Sequence, residues 1–275
     1  MNLKKVLAVS VAACALTLAF AGCGGGSDSK PASQEANKTI KMGVLVGPHE
    51  EFMEAVKDNA AKKGLNIEIV TFNDYALPNE ALNSKDIDAN MCQHLPYFKN
   101  QIKDRGYDLT SLGTTLLFPM GVYSDKIKSV DEIKDNMTLA IPNDPSNGGR
   151  ALEILDQAGV IKLKKDIGSK ATVADIAENP HHLTINEVDA TMIPRMLPDL
   201  DFAVINNSYA TKSGLIPTKD AFILEKPDSP YANIVAVRTA DKDRPEFKEL
   251  MEIIRTPEMK KFVDEHFKGS AIATW

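Results

Sequence analysis

The stretch Thr39–Phe72, TIKMGVLVGPHEEFMEAVKDNAAKKGLNIEIVTF, contains the pattern that decides the fold. Its first part, Thr39–Val46, is a short apolar run that ends at a Gly-Pro pair, as expected of a buried strand. Apolar side chains then recur at helical spacing at Phe52, Val56 and Ala60, and Gly64 ends that helix. In Leu65–Phe72, apolar and polar residues first alternate and the run then continues through Val70 to Phe72, which predicts a second strand. The stretch therefore predicts a β-α-β unit.

The same alternation continues to the end of the chain. Short apolar runs such as Thr138–Ile141 and Phe202–Ile205 alternate with amphipathic segments, among them predicted helices over Asn147–Gln157 and Val173–Glu178. Repeated β-α-β units predict an α/β protein with mostly parallel sheets that are covered by helices.

Two blocks of such units predict two lobes. We assign residues 39–123 and 232–275 to lobe I, because the last strand and helices have no obvious partner in the second block. Residues 124–231 then form lobe II, and the chain crosses between the lobes twice, which makes a hinge. Open α/β sheets bind ligands at the carboxyl ends of their strands, so we expect a ligand in the cleft between the lobes.

The first residues predict an export signal. Two lysines precede an apolar run over Val6–Phe20, which is shorter than the about 20 residues that a membrane-spanning helix needs. Ala21-Gly22-Cys23 resembles the lipobox of bacterial lipoproteins, which implies cleavage after residue 22 and acylation of Cys23. We therefore predict a signal peptide over 1–22 and a lipid-anchored protein in the cell envelope, outside the cytoplasm. An uncleaved amino-terminal anchor is the alternative.

Residues 23–38 predict a flexible tether, because they are rich in Gly and Ser and contain almost no apolar side chain. Removal of 1–22 takes away Lys4 and Lys5, so the formal charge changes from −6 to −8. An acidic protein argues against nucleic acid as a partner. Cys14 leaves with the signal and Cys23 carries lipid, so Cys92 has no cysteine with which to form an intrachain disulfide.

Several motifs occur in order between Cys23 and Trp275. They are Thr71-Phe-Asn-Asp-Tyr75 with Leu77-Pro-Asn-Glu-Ala-Leu82, Asp86-Ile-Asp-Ala-Asn90, Gln93-His94 with Pro96-Tyr97, Pro142-Asn-Asp-Pro145 with Asn147 and Arg150, Ala203-Val-Ile-Asn206, Ser229-Pro-Tyr231 with Asn233, and the terminal Gly269–Trp275. Over this length the chain resembles the NlpA/MetQ-type methionine-binding lipoproteins. The resemblance implies a two-lobed periplasmic-binding-protein-like fold of type II and a solute-binding role in an ABC importer. It also implies methionine or a closely related amino acid as ligand, and an ABC permease and ATPase as partners.

A free amino acid presents a carboxylate, and one arginine suits it. Arg150 lies about one turn into the predicted helix that follows Pro142, where the helix amino terminus favours an anion. Its guanidinium can give two parallel hydrogen bonds to a carboxylate. We predict that Arg150 holds the ligand carboxylate. The alternative is a surface arginine that pairs with Glu153 or Asp156.

Two asparagines suit both charged groups of an amino acid, because an amide can accept from an ammonium and donate to a carboxylate. Asn206 ends a predicted strand and Asn233 begins one. Their position beside a strand is equally typical of a turn or a cap. The resemblance implies that both are ligand contacts.

An aromatic pocket for the ligand side chain is predicted at Phe72, Tyr75, His94 and Tyr97, with Phe118 as a further candidate. Aromatic rings suit a thioether, and core packing is the alternative for each ring. Where relatives usually show an aromatic residue before Gln-His, this chain has Met91-Cys92. A wider pocket would admit another apolar amino acid or a methionine-containing dipeptide. Cys92 itself is either a small buried apolar residue or a reactive thiol.

Neither a cofactor nor a metal site is predicted, since the histidines lack the spacing of metal ligands. The chain has no Gly-x-Ser-x-Gly, His-Glu-x-x-His, Walker A or Gly-x-Gly-x-x-Gly motif, so we predict that it is not an enzyme. Catalytic side chains can still assemble from distant positions. A surface lipoprotein without a transport role is the third hypothesis, and it would bind no small molecule.

Overall fold

A computed structural model describes residues 39–275, apart from Asp166 and the side chain of Ser169. The predicted signal peptide (1–22), the lipidation site Cys23 and the tether (23–38) lie outside the described residues. Within the described residues, no helix is both long enough and apolar enough to cross a membrane.

Strands and helices alternate along the described chain. The strands are β1 (Thr39–Leu45), β2 (Asn66–Phe72), β3 (Ala89–His94), β4 (Leu109–Thr114), β5 (Leu116–Leu117), β6 (Gly121–Tyr123), β7 (Thr138–Pro142), β8 (Lys162–Leu163), β9 (Ile176–Glu178), β10 (Thr184–Val188), β11 (Phe202–Ile205), β12 (Ile223–Leu224), β13 (Asn233–Arg238) and β14 (Ile272–Ala273). The α-helices are α1 (Pro48–Ala61), α2 (Leu77–Asn83), α3 (Leu95–Arg105), α4 (Pro145–Gln157), α5 (Ile193–Met196), α6 (Asn207–Lys212), α7 (Pro217–Asp220), α8 (Pro245–Ile254) and α9 (Pro257–Phe267).

The first sheet has the strand order β2-β1-β3-β13-β4. Strand β1 is parallel to both β2 and β3, and α1 connects β1 to β2, so the β-α-β unit predicted from Thr39–Phe72 is confirmed. The helix forms because Phe52, Val56 and Ala60 share one apolar face, and all three side chains are fully buried against the sheet.

The second sheet has the order β10-β7-β11-β6-β12, with β7, β10 and β11 parallel. Helix α4 follows β7 and packs Ala151, Leu152 and Leu155 into the core of this sheet. Each sheet is thus the centre of one lobe with an apolar core of its own.

The chain returns to the first sheet as β13, which pairs antiparallel with β3 and with β4. Strand β14 then pairs with β5. The predicted lobe limits stay a prediction. Strand pairing places Gly121–Tyr123, which the predicted limits assign to lobe I, in the second sheet with β11 and β12.

The predicted helix over Val173–Glu178 is wrong. Thr172 and Asp175 form a capping box that closes a single 3-10 turn over Val173–Asp175. The chain then continues as β9, which pairs with β8. The 3-10 turn satisfies the backbone hydrogen-bonding groups of Val173–Asp175. Pairing of β9 with β8 satisfies those of the residues that follow.

Candidate functional site

A narrow cavity lies between the two sheets. The cavity has a volume of about 330 Å³, including the part that opens to solvent. Residues that follow the carboxyl ends of parallel strands form much of the wall: His49 follows β1, Tyr75 follows β2 and Asn206 follows β11. Such a cavity fits a small and slender ligand.

Most of the predicted ligand-binding residues meet at this cavity. Its lining consists of His49, Tyr75, Cys92, Gln93, His94, Tyr97, Phe118, Asn147, Arg150, Asn206, Asn207, Ser208 and Asn233. The structure therefore brings six of the seven predicted residues together, and the further candidate Phe118 joins them.

Phe72 does not line the cavity. It is the last residue of β2 and packs with Val70 and Leu82 on the face of the first sheet that α2 and α3 cover. Side chains two apart in a strand point to the same face, so Phe72 follows Val70 into the core. Core packing, the alternative considered for this ring, is what the structure shows.

Arg150 is buried but already has a carboxylate partner. Its Nε lies 2.9 Å from Oε1 of Glu225, and its Nη2 donates to Oε2 of the same residue. Nη2 also donates to the carbonyl oxygen of Phe118 over 3.0 Å. The guanidinium carbon lies 4.7 Å from the ring centre of Tyr231, which adds a cation–π contact.

These contacts show that the alternative considered for Arg150, a surface arginine, is wrong, and the predicted role toward a ligand carboxylate stays a prediction. Its partner is Glu225 rather than Glu153 or Asp156, and the two parallel hydrogen bonds go to this protein carboxylate. Among the described residues, no group accepts from Nη1 of Arg150, so Nη1 is the guanidinium nitrogen that these contacts leave without a partner.

Glu225 is itself held firmly. Its carboxylate accepts from the backbone N–H of Met120 over 2.9 Å and from the hydroxyl of Ser229 over 2.7 Å. Met120 and Ser229 belong to the two chain segments that run between the sheets. The Arg150–Glu225 pair therefore links α4 to both of these segments.

Asn147 joins several polar groups of the wall. Its Oδ1 accepts from Nδ2 of Asn206 over 2.8 Å and from Nε2 of His94 over 3.0 Å. Its own amide group donates to Asp144, which caps the amino terminus of α4. Gly148 allows this tight start, since a Cβ there would lie 2.9 Å from the carbonyl oxygen of Pro142.

The two predicted asparagines differ in the hydrogen-bonding group that they leave unpaired: Asn206 leaves an acceptor and Asn233 leaves a donor. Oδ1 of Asn206 is buried and has no hydrogen-bond partner among the described residues. Oδ1 of Asn233 lies 3.1 Å from Nε2 of His49, so the group that Asn233 offers is the donor Nδ2. Asn206 thus suits an ammonium and Asn233 suits a carboxylate.

His49 and His94 are both neutral. Burial lowers the pKa of His49 to about 4, although its hydrogen bond to Asn233 acts in the opposite direction. Burial, with a smaller effect from Arg150, lowers the pKa of His94 to about 3. In His94 the proton is on Nε2, because Nδ1 accepts from the backbone N–H of Tyr97 over 3.1 Å.

Ser208, His49 and Asn233 form a chain that resembles a hydrolase triad in composition. Oγ of Ser208 lies 3.2 Å from Nδ1 of His49, and Nε2 of His49 faces Asn233. A general base works best with a pKa near the operating pH. His49 has a pKa of about 4, and an amide supplies no negative charge to stabilise an imidazolium. The chain is therefore suited to positioning Asn233.

Aromatic rings form the apolar wall. The rings of Tyr75 and Tyr97 lie 5.7 Å apart, and Phe118 stacks on His49 at 4.1 Å. Tyr75 also packs edge-on against Tyr209, at 5.0 Å. Burial raises the pKa of Tyr75 and of Tyr97, so both phenols keep their protons at neutral pH.

Cys92 behaves as a small buried apolar residue. It is 1% exposed, and burial raises the pKa of its thiol. A buried protonated thiol is a poor nucleophile. Within the described residues, no group of three or more His, Cys, Asp and Glu side chains could hold a metal ion.

Sequence reasoning missed His49, Asn147, Ser208 and Glu225 as members of the site or its support. Asn147 stood in the family motif beside Arg150, and His49 comes shortly after the first strand, as Tyr75 comes shortly after the second. Those positions could have identified both. Glu225 carries no local signal, because its partner Arg150 is far away in sequence.

Comparisons with known proteins agree with this architecture. The profile of the NlpA lipoprotein family matches residues 40–275. The D-methionine-binding lipoprotein MetQ of Salmonella typhimurium is 45% identical over 94% of this chain and 94% of its own length.

Two solved structures are also similar. A nutrient binding protein from Burkholderia cenocepacia bound to methionine is 50% identical, with a TM-score of 0.82 over 86% of this chain and 100% of that one. An ABC transporter periplasmic substrate-binding protein from Coxiella burnetii is 45% identical, with the same TM-score and the same coverage. The fold is the two-lobed α/β fold of periplasmic binding proteins, and the chain belongs to the NlpA lipoprotein family.

Proposed function

We propose that this chain is the solute-binding component of an ABC importer, anchored by lipid at Cys23 outside the cytoplasm, and that it binds methionine or a closely related amino acid. The family profile, a methionine-bound relative and an ABC transporter relative support this proposal. The partners are then a permease with its ATPase, and the membrane itself through the lipid.

One observation carries the ligand class. The cavity wall combines buried donors on Arg150 and Asn233 with a buried, unpartnered acceptor on Asn206, as seen within the described residues. A carboxylate at Nη1 of Arg150 and Nδ2 of Asn233, with an ammonium at Oδ1 of Asn206, uses all three groups. A free amino acid has both charges on adjacent carbons, so it matches this set.

The aromatic wall supports a thioether side chain. Tyr75, Tyr97 and Phe118 line the cavity, and a sulfur–aromatic contact contributes about 0.3–1.5 kcal/mol. The cavity volume of about 330 Å³ suits a small ligand. Cys92 lies in the same wall, so a somewhat larger apolar amino acid or a methionine-containing dipeptide remains the alternative ligand.

Closure of the two lobes around the ligand is part of the proposal. We keep lobe I as residues 39–123 with 232–275 and lobe II as residues 124–231. The exception is β6, which belongs to the second sheet and is therefore moved to lobe II. Hydrogen bonds join them at the cavity, from His94 to Asn147, and outside its lining, from Lys212 to Asn73. Binding proteins of this architecture close by hinge motion, and such contacts would hold the closed form.

The test is calorimetry on the full-length lipoprotein in neutral detergent, freed of bound ligand by unfolding and refolding. L-methionine, D-methionine, other apolar amino acids and methionine-containing dipeptides are titrated in turn. We expect sub-micromolar binding of one methionine enantiomer. The same samples are analysed for hydrolysis of methionine esters and peptides, and none is expected from a site with a neutral His49.

Each outcome of this panel has a distinct meaning. Tight binding of another amino acid or of a dipeptide would keep the transport role and change the ligand. Absence of binding across the panel would support the surface lipoprotein without a transport role. Turnover of an ester or peptide that is lost in Ser208→Ala would overturn the proposal in favour of an enzyme.

A further inference from the structure

Glu225 is a buried carboxylate directly behind the cavity. Its side chain is 6% exposed and that of Arg150 is 3% exposed. Arg150 lines the cavity and Glu225 does not. The carboxylate therefore acts on a ligand through Arg150, by cancelling its charge and fixing the plane of its guanidinium.

The rest of the cavity wall is neutral. His49 and His94 have pKa values of about 4 and about 3, so neither carries a charge near neutral pH. Burial raises the pKa of Tyr75, Tyr97 and Cys92, so these groups keep their protons. Among the residues that line the cavity, Arg150 is thus the charged one, and Glu225 balances it.

A second carboxylate, Asp144, lies close to the wall but is accounted for locally. Its oxygens accept from the hydroxyl of Ser146 over 2.8 Å and from the backbone N–H and the amide of Asn147. It caps the amino terminus of α4, whose dipole favours a negative charge at that place.

We propose that Glu225 is a specificity-determining residue that makes the site select net-neutral zwitterions over ligands with a single charge. This inference rests on the proposed function, because it concerns how the same site recognises an amino acid. A zwitterion adds no net charge to the neutral pair of Arg150 and Glu225. A lone carboxylate would add an uncompensated negative charge near Glu225, in a medium where charges interact strongly.

Replacement of Glu225 by a neutral residue should change selectivity in a defined way. Without its carboxylate, the site carries the full positive charge of Arg150. An anionic ligand should then gain affinity relative to the zwitterion, and a cationic ligand should lose it. If Glu225 had a purely structural role, its replacement would change the affinities for the anionic and the cationic ligand in the same direction. Changes in opposite directions are therefore the diagnostic result.

The experiment compares three ligands by calorimetry on the full-length lipoprotein in neutral detergent. They are L-methionine, its deamino analogue (a methylsulfanyl butanoate, which is an anion) and L-methioninamide (a cation). In Glu225→Gln, relative to L-methionine, we expect the anion to gain at least about tenfold and the cation to lose at least about tenfold, each about 1.4 kcal/mol. If D-methionine is the better ligand, the D-series replaces the L-series.

Two variants serve as controls. Asp88→Asn removes a half-buried carboxylate that pairs with Arg238 and Arg244, and none of these three residues lines the cavity. It should leave the ratios of the three affinities within about twofold of the wild type. Glu225→Asp keeps the charge and should keep the wild-type order of ligands, even where all three bind more weakly.

If the affinities of both analogues, relative to L-methionine, change in the same direction in Glu225→Gln, the inference about Glu225 is overturned and the proposed function is not. If Glu225→Gln does not fold, the wild-type protein decides: binding of the anionic analogue within threefold of L-methionine would contradict a neutral site. A wild-type protein that binds neither methionine nor any other amino acid would overturn the proposed function, and this inference with it.

Discussion

The ring of His94 bridges the two lobes, because its Nε2 lies 3.0 Å from Oδ1 of Asn147. His94 ends β3 of the first sheet, and Asn147 lies in the first turn of α4, which follows β7 of the second. The donor must be His94, since its other nitrogen accepts from the backbone of Tyr97. A neutral imidazole of one tautomer is therefore part of the contact between the lobes.

This arrangement predicts acid sensitivity. His49 and His94 have folded-state pKa values of about 4 and about 3, against 6.5 for an ordinary histidine. The unfolded chain therefore binds more protons below pH 6.5, so the free energy of unfolding falls as pH falls through that range. Each histidine should contribute a slope of roughly 1 kcal/mol per pH unit between about pH 6 and pH 4.

Urea unfolding at several pH values checks this slope. His94→Gln should be less stable at pH 7.5, but it should lose about half of the pH dependence, because one of the two buried groups no longer titrates. A free energy of unfolding that stays level from pH 7 to pH 5 would contradict the neutral, buried state of both rings.

Arg150→Lys should weaken binding of the ligand by about 30-fold or more, roughly 2 kcal/mol. Lysine keeps the charge but cannot bond Glu225 through a planar fork and still present a donor to the cavity. Calorimetry measures the change. Arg195→Lys, on the short helix α5 and outside the cavity lining, is the matched control and should bind as the wild type does.

Asn206→Ala should weaken binding by about 10- to 100-fold, because a hydrogen bond to a charged group contributes about 1.5–3 kcal/mol. The change removes the acceptor Oδ1 and also the donor to Asn147. Asn186→Ala is the control, since Asn186 bonds to the backbone of Leu139 in the second sheet. Equal losses in both variants would mean that Asn206 acts through stability alone.

The aromatic residues give a paired test. Tyr97→Leu should weaken ligand binding by about tenfold, because Tyr97 lines the cavity and its ring packs at a tilt against that of Tyr75. Phe72→Leu should leave the affinity within about twofold but lower the free energy of unfolding by roughly 1 kcal/mol, as a change of core packing does. A large loss of affinity in Phe72→Leu would contradict its placement in the core.

Cys92 should resist thiol reagents in the folded protein. Its thiol is 1% exposed and burial raises its pKa, so little thiolate is available near pH 8. Mass spectrometry after iodoacetamide treatment should find Cys92 unmodified in buffer and modified in urea. Modification at similar rates in both conditions would show that the cavity wall opens easily.

The sequence was sufficient for features that depend on local periodicity. The strand–helix–strand unit of Thr39–Phe72 formed as predicted, because its apolar spacing and its Gly stops agree with the same structure. The short segment Val173–Glu178 had too few residues to show a period, and pairing of β9 with β8 determined its structure instead.

The candidate site was predictable only in part. Tyr75 and Asn206 follow strand ends and His94 is the last residue of a strand, and the fold class alone directs such positions to the cleft. Phe72 could not be excluded, because the face to which a strand's last residue points depends on which helix covers it. Glu225 could not be found, because its contact with Arg150 exists only once both segments between the sheets are in place.

The return of the chain to its first sheet also constrains how the protein is made. Strand β13 lies between β3 and β4, so these two earlier strands have no neighbour at that position until residues 233–238 are synthesised. Strands β6 to β12 follow one another and can pair without the carboxyl-terminal residues. The second sheet can therefore form before the chain is complete, whereas the first sheet closes only when nearly the whole chain is available.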